Sequence, residues 1–218
     1  NHCCAGSMAR SIDWLNRTHN LGMNKTAQQI YDDLVAAGVS QPRADGMPAR
    51  TGWVSKKNDY AKAQTNNQIV TKVWDSGNDI DPIPGVMEQT GGDFLAWLQA
   101  EINHGEDVEL AYYWDGGAHI VTITDAYLVN GRLYVDYRDD EDQGNAGGDT
   151  AHKRGTEVYF TSPDGKYHFG AQKNNIYFAV SESFVPEPSV AGIAVLALSY
   201  VGTRRRRRAA PHRGHGRV

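Results

Sequence analysis

The sequence predicts an α+β fold, with N-terminal helices packed on a C-terminal antiparallel sheet. Three observations predict it. Apolar residues recur at helical spacing through much of the first half of the chain. β-Branched and aromatic runs crowd the second half. Asn130-Gly131 lies between two of those runs, and this dipeptide is a strong hairpin turn signal. Helices first and a hairpin-connected sheet afterwards is the α+β pattern.

Each element has its own reason. Residues 7–17 read as a helix, because Met8, Ile12 and Leu15 share one face, with Ser11 and Trp14 beside it. Cys3 and Cys4 sit at or just before its first turn. A helix N-terminus offers free N–H groups and partial positive charge, and both stabilise a thiolate and an oxyanion. Asn24 or Thr26 caps a second helix running through Ala37, with Ile30, Leu34 and Val35 inward and Gly38 as its stop. Residues 39–52, rich in Gly, Pro, Arg and Asp, read as a loop.

Residues 53–74 carry Trp53, Tyr60, Ile69, Val70, Val73 and Trp74 at irregular spacing and are expected to form mixed short elements. Asp75 to Asp81 forms a polar turn that lacks the spaced oxygens and closing glutamate of a calcium loop, so a solvated loop is expected. Thr90 to Asn103 reads as a helix, buried through Phe94, Leu95, Trp97, Leu98 and Ile102 and ended by Gly105. Strands are expected at Val108 to Trp114, His119 to Val129, Leu133 to Arg138, Glu157 to Thr161 and Asn175 to Val180.

Composition narrows the function. The 218 residues, 40% of them hydrophobic, suffice for one sizeable core. A net charge of −4 gives no global basic field, so no nucleic-acid partner is expected. Positive charge is concentrated at the C-terminus, from Arg204 to Arg208 onward. The two cysteines are adjacent, which argues against a disulfide scaffold. No second Cys/His cluster stands at zinc spacing, so neither a metal nor another cofactor is expected.

The remaining chemistry is a thiol, an imidazole and an acid, in that order. His119 opens a β-branched strand just after Gly116-Gly117, where a neighbouring backbone or a substrate can come close. Such a histidine withdraws a proton from a thiol and later protonates a leaving group. His2 abuts the cysteines; His19, His104, His152 and His168 lie in polar contexts, and His212 and His215 lie in the tail. The orienting acid is Asp139 or Asp140. Alternation puts Asp139 on the face of Leu133, Val135 and Tyr137, while His119 shares a face with Val121 and Ile123. A strict two-residue hairpin pairs Thr122 with Asp139 and brings Asp140 to the histidine side instead; one bulge reverses this. Asp139 is preferred, with Asp140 as alternate. The bland competitors are a buried apolar cysteine, a structural histidine and a solvated acidic turn.

Cys3 followed by Ser7, Ala9, Ile12 and Trp14-Leu15 resembles the nucleophile segment of papain-like, C39-like bacterial cysteine peptidases. His119-Ile120-Val121-Thr122-Ile123-Thr124 is similar to their histidine strand, and Arg138-Asp139-Asp140 to their acid segment. The resemblance covers residues 1–183 by order of motifs. It implies a papain-like fold, Cys3 as nucleophile, His119 as base and Asp139 as orienting residue. The glycine and proline that follow the nucleophile in that family are replaced by Cys4 and Ala5, which makes Cys4 the alternate nucleophile. The family's oxyanion-hole glutamine falls before Asn1. The chain starts on the candidate catalytic segment without an initiating methionine, and is read as clipped.

Residues 184–218 carry Val185-Pro186-Glu187-Pro188-Ser189, an apolar run from Val190 to Val201, and Arg204 to Arg208. This order resembles the PEP-CTERM sorting signal of exported Gram-negative bacterial proteins. That resemblance implies export, transient retention in the inner membrane, cleavage by an exosortase-type enzyme, and a final place at the cell surface or in the extracellular matrix. An apolar run followed by arginines is a stop-transfer arrangement, although this run is shorter than the roughly 20 residues of a spanning helix. The expected activity is thiol hydrolysis of peptide or isopeptide bonds in a peptide or protein substrate. The alternative is a non-catalytic surface or matrix protein that retains the scaffold.

Overall fold

Helix-forming sequence precedes strand-forming sequence, and the architecture follows that order. The structure is a computed structural model and describes residues 3–39, 50–77, 82–114, 116–139 and 151–185. The chain divides into two units, Asn1–Val185 and Pro186–Val218. All the described residues belong to the first, and the tail read as a sorting signal lies outside them. No helix among the described residues is long and apolar enough to cross a membrane.

Three helices come first: α1 (Cys3–His19), α2 (Ala27–Ala36) and α3 (Arg50–Gln64). Strands β1 (Ile69–Asp75) and β2 (Met87–Thr90) follow, then α4 (Phe94–Asn103). Six strands complete the described fold: β3 (Asp107–Trp114), β4 (Gly117–Val129), β5 (Arg132–Asp139), β6 (Ala151–Thr161), β7 (Lys166–Phe169) and β8 (Asn175–Phe184). The class is α+β. The eight described strands form one sheet in the order β2-β1-β8-β3-β4-β5-β6-β7. Only the β1–β2 pair is parallel. A further pairing of His168 with Asn175 joins β7 to β8 and closes β3 through β8 into a ring.

The sheet buries both faces. Against the helices lie Val73, Ala111, Ile120, Phe178 and Val180, covered by Met8, Ile12, Ile30, Leu34, Trp53 and Val54. Inside the ring lie Leu110, Val121, Ile123, Val135, Val158, Phe169 and Ala179, with Trp74, Phe94 and Leu98 in the same cluster. Each large apolar side chain removed from water contributes about 1.5–3 kcal/mol. Ala5, Ser7, Ala9 and Ser11 of α1 are all buried, and Ser7 Oγ lies 2.7 Å from Thr122 Oγ1 of β4.

Several expectations need correction. Residues 53–74 are not mixed short pieces. They hold most of α3 and nearly all of β1. The helical period was hidden because the inward face of α3 carries Lys57 and Asn58 as well as Trp53, Val54 and Ala61, and all five are buried. Arg50, Thr51 and Gly52, expected in a loop, start α3, while residues 40–49 lie outside the described residues. Thr90 ends β2, and α4 starts after Asp93, whose carboxylate accepts from the N–H groups of Leu95 and Ala96. Asp75 is not in a solvated turn. It ends β1 and is buried, while residues 78–81 lie outside the described residues. The four-residue strands β2 and β7 are too short to carry a period. Thr26 does cap α2, with a full capping box to Gln29.

Candidate active site

Cys3 is the first residue of α1, so its thiol sits where the helix presents unpaired N–H groups. β3 and β4 bring the imidazole. Gly117 takes φ 151°, a region closed to other residues, and starts β4 in a register that sets His119 opposite Tyr112. β5 brings the acid as its last residue, Asp139.

The hairpin between β4 and β5 decides which acid meets the histidine. Asn130 and Gly131 take φ 52° and 77°, the primed geometry of a two-residue turn. Pairing runs regularly from Val129↔Arg132 to Asp125↔Asp136, then jumps to Ile123↔Tyr137 and Thr122↔Arg138. Thr124 is the extra residue, a β-bulge that shifts the side-chain phase of β4 by one. His119, Val121 and Ile123 therefore share a face with Tyr137 and Asp139. His119 Nε2 lies 2.7 Å from Asp139 Oδ1. Asp140 lies outside the described residues.

The other imidazole nitrogen is left for sulfur. The Cys3 thiol interacts with Cys4, with the His119 ring and with the backbone of Ile120. These contacts, with the Cys4 thiol first, then His119 and Ile120, outweigh burial and hold Cys3 well below an ordinary thiol, at about 4. Cys4 moves the opposite way. Its hydrogen bond to Cys3, its burial and the nearby Cys3 and Glu109 charges all raise it. One thiol of the pair is thus poised to ionise and the other to stay protonated.

Burial disfavours the charged imidazole, but Asp139 and Cys3 overcome it and raise His119 to about 9. The same contact lowers Asp139, because its carboxylate accepts from imidazolium. Tyr112 stands edge-on to the His119 ring at 5.9 Å and 89°, and packs on Phe169 at 4.9 Å. It walls the His119–Asp139 pair on the ring side. No residue pattern marks this tyrosine's place, since any aromatic residue in a strand reads as core.

Cys3, His119 and Asp139 are thus brought into one chain of contacts, with Cys4 beside them. Three other described histidines have different neighbours. His19 stacks on Phe184, His152 meets Thr124, and His168 contacts Thr161 and Asp164. Cys3 is 4% exposed and His119 8%. A cavity of about 570 Å³ beside α1 and another of about 500 Å³ lined by Trp74, Tyr113, Phe160 and Tyr167 both lack these residues in their walls. One group among the described residues could hold a metal: Asp107, Glu109 and Glu182, on the helix-facing side of the sheet. No protein-family model and no curated protein matches the chain.

Proposed function

We propose that the chain is a papain-like, C39-like thiol hydrolase, a cysteine peptidase acting on peptide or isopeptide bonds. The single observation that supports this most is the placement of His119 between Asp139 and Cys3, with its Nε2 2.7 Å from the Asp139 carboxylate and its ring interacting with the Cys3 thiol. With Cys3 lowered and His119 raised, the proton rests on the imidazole and the resting pair is thiolate and imidazolium.

The chemistry then has two halves. Cys3 Sγ attacks the carbonyl carbon, and the oxyanion develops at the N-terminus of α1, where backbone N–H groups and the helix dipole oppose it. The C–N bond breaks as His119 Nδ1–H gives its proton to the departing amine, leaving an acyl-thioester on Cys3. Water attacks that thioester, His119 takes the water's proton, and the carboxylic acid leaves as Cys3 regains its charge. Asp139 stays ionised throughout and fixes the ring so that Nδ1 faces sulfur. Cys4 stays a neutral thiol that donates to Cys3.

The resemblance of residues 184–218 to a PEP-CTERM signal supports a place for this enzyme at the surface or in the matrix of a Gram-negative bacterium. An exosortase-type enzyme is its processing partner, and inner-membrane contact through the tail is transient. The second reading, a non-catalytic surface protein on the same scaffold, draws on one observation: the thiol–imidazole pair is buried.

Two measurements decide between these readings. Iodoacetamide at neutral pH should label Cys3 faster than free cysteine and leave Cys4 behind. Cys3→Ala should lose roughly 10,000-fold or more of the peptide hydrolysis. Labelling no faster than free cysteine, together with undiminished hydrolysis by Cys3→Ala, rejects the peptidase.

A further inference from the structure

Away from Cys3, the helix-facing side of the sheet holds a second group of ionisable residues. Register places them. Glu182 of β8 lies directly opposite Asp107 of β3 on one side and Thr71 of β1 on the other, so all three project from the same face. Glu109, two residues beyond Asp107, joins them there. Lys57 comes from α3 above, its Nζ 2.5 Å from Glu109 Oε1 and 2.6 Å from Glu182 Oε2. All five side chains are buried.

Lys57 satisfies only part of this group. Both oxygens of Asp107, Glu109 Oε2 and Glu182 Oε1 have no hydrogen-bond partner in the protein. Neither has Thr71 Oγ1, a neutral hydroxyl that is fully buried at 0% exposure and set in the same row. A buried oxygen without a partner is costly, and an unpaired buried carboxylate more so. Three carboxylates and one ammonium leave two negative charges, which one divalent cation neutralises. One oxygen from each acid falls within 4.8 Å of the others. A hard cation held at about 2.4 Å reaches oxygens up to about twice that distance apart.

We infer that Asp107, Glu109 and Glu182, completed by the hydroxyl of Thr71, form a binding site for a hard divalent cation of the calcium or magnesium kind. This goes beyond the proposed hydrolysis and does not depend on it. Lys57 holds the inner oxygens and the cation takes the outer ones. Asp107 also lines the cavity of about 570 Å³, together with Glu106 and Ser11, which gives the ion a route from solvent. Ser11 Oγ is another buried oxygen without a hydrogen-bond partner. The rival occupant is the proton. Burial and the neighbouring Glu182 charge push Asp107 well up, and burial pushes Glu182 to about 7.

The test uses the full chain, stripped with EDTA and titrated separately with calcium chloride and magnesium chloride above neutral pH. Calorimetry should show one equivalent bound for at least one of the ions, with a higher thermal unfolding midpoint. Asp107→Asn should weaken binding by about tenfold or more. Thr71→Val, which keeps shape and removes an unpartnered hydroxyl, should also weaken binding while leaving the EDTA-treated midpoint level or higher. It decides the question if Asp107→Asn does not fold. Failure of both ions to bind at about 1 mM, the weak end of protein calcium sites, overturns the site. Binding that neither variant disturbs overturns it too.

Discussion

Asp139 favours the proton on His119, so its carboxylate should set the alkaline limit of the proposed chemistry. The raised His119 keeps its charge until pH passes about 9, and the lowered Cys3 keeps its charge down to about 4. The thiolate–imidazolium pair therefore exists between those values. Hydrolysis should rise through the lower and fall through the upper, as seen in a pH profile of kcat/KM. Alkylation of Cys3 should rise through the same lower value and then stay level, because thiolate is enough for it. Asp139→Asn removes the anion that overcomes burial at His119. Its upper limit should move to lower pH, read from the same profile, while the iodoacetamide adduct still maps to Cys3. At this scale the sequence marks the residues that the fold brings together. Cysteine, histidine and acid announce themselves by type, order and a glycine turn. Tyr112 does not, because the contact of its ring with His119 exists only once β3 and β4 have paired.

The β4–β5 hairpin shows where element-level reading runs out. Asn130-Gly131 named the turn, and alternation named the strand faces. Yet the choice between Asp139 and Asp140 turned on the bulge at Thr124, which no residue pattern marks. Gly131 holds φ 77°, and a side chain there would meet nothing within 4 Å. Gly131→Ala should therefore cost about 1–2 kcal/mol through backbone strain alone, measured by urea unfolding. α3 was missed for a different reason. A helix whose inward face mixes Trp53 and Val54 with Lys57 and Asn58 has no apolar stripe to read. Lys57 is buried because acids from β3 and β8 await it, and those lie far along the chain.

The buried ionic group ties α3 to the sheet and should govern the stability of the whole described fold. Lys57→Met leaves three carboxylates without their cation and should lower the unfolding free energy by about 3–5 kcal/mol. Glu182 is raised from 4.5 to about 7 on folding. Through Glu182 and the likewise raised Asp107, the folded chain gains more protons across that window than it loses at the lowered Cys3. By linkage, stability should decline as pH rises from about 4.5 to about 7, seen as a falling urea midpoint. None of this was legible in composition, where each acid looks like an ordinary solvated charge.

β8 has a consequence of its own. It is the last described strand in the chain, yet it pairs with β1, β3 and β7. Before it arrives, β1 and β3 have no bridge between them, and the ring has an open seam. Assembly must therefore wait for distant segments to find one another, the slow kind of search. A nascent chain lacking Asn175 to Phe184 would expose raw strand edges on β1, β3 and β7, and chaperones that shield such edges would have their longest work in that interval.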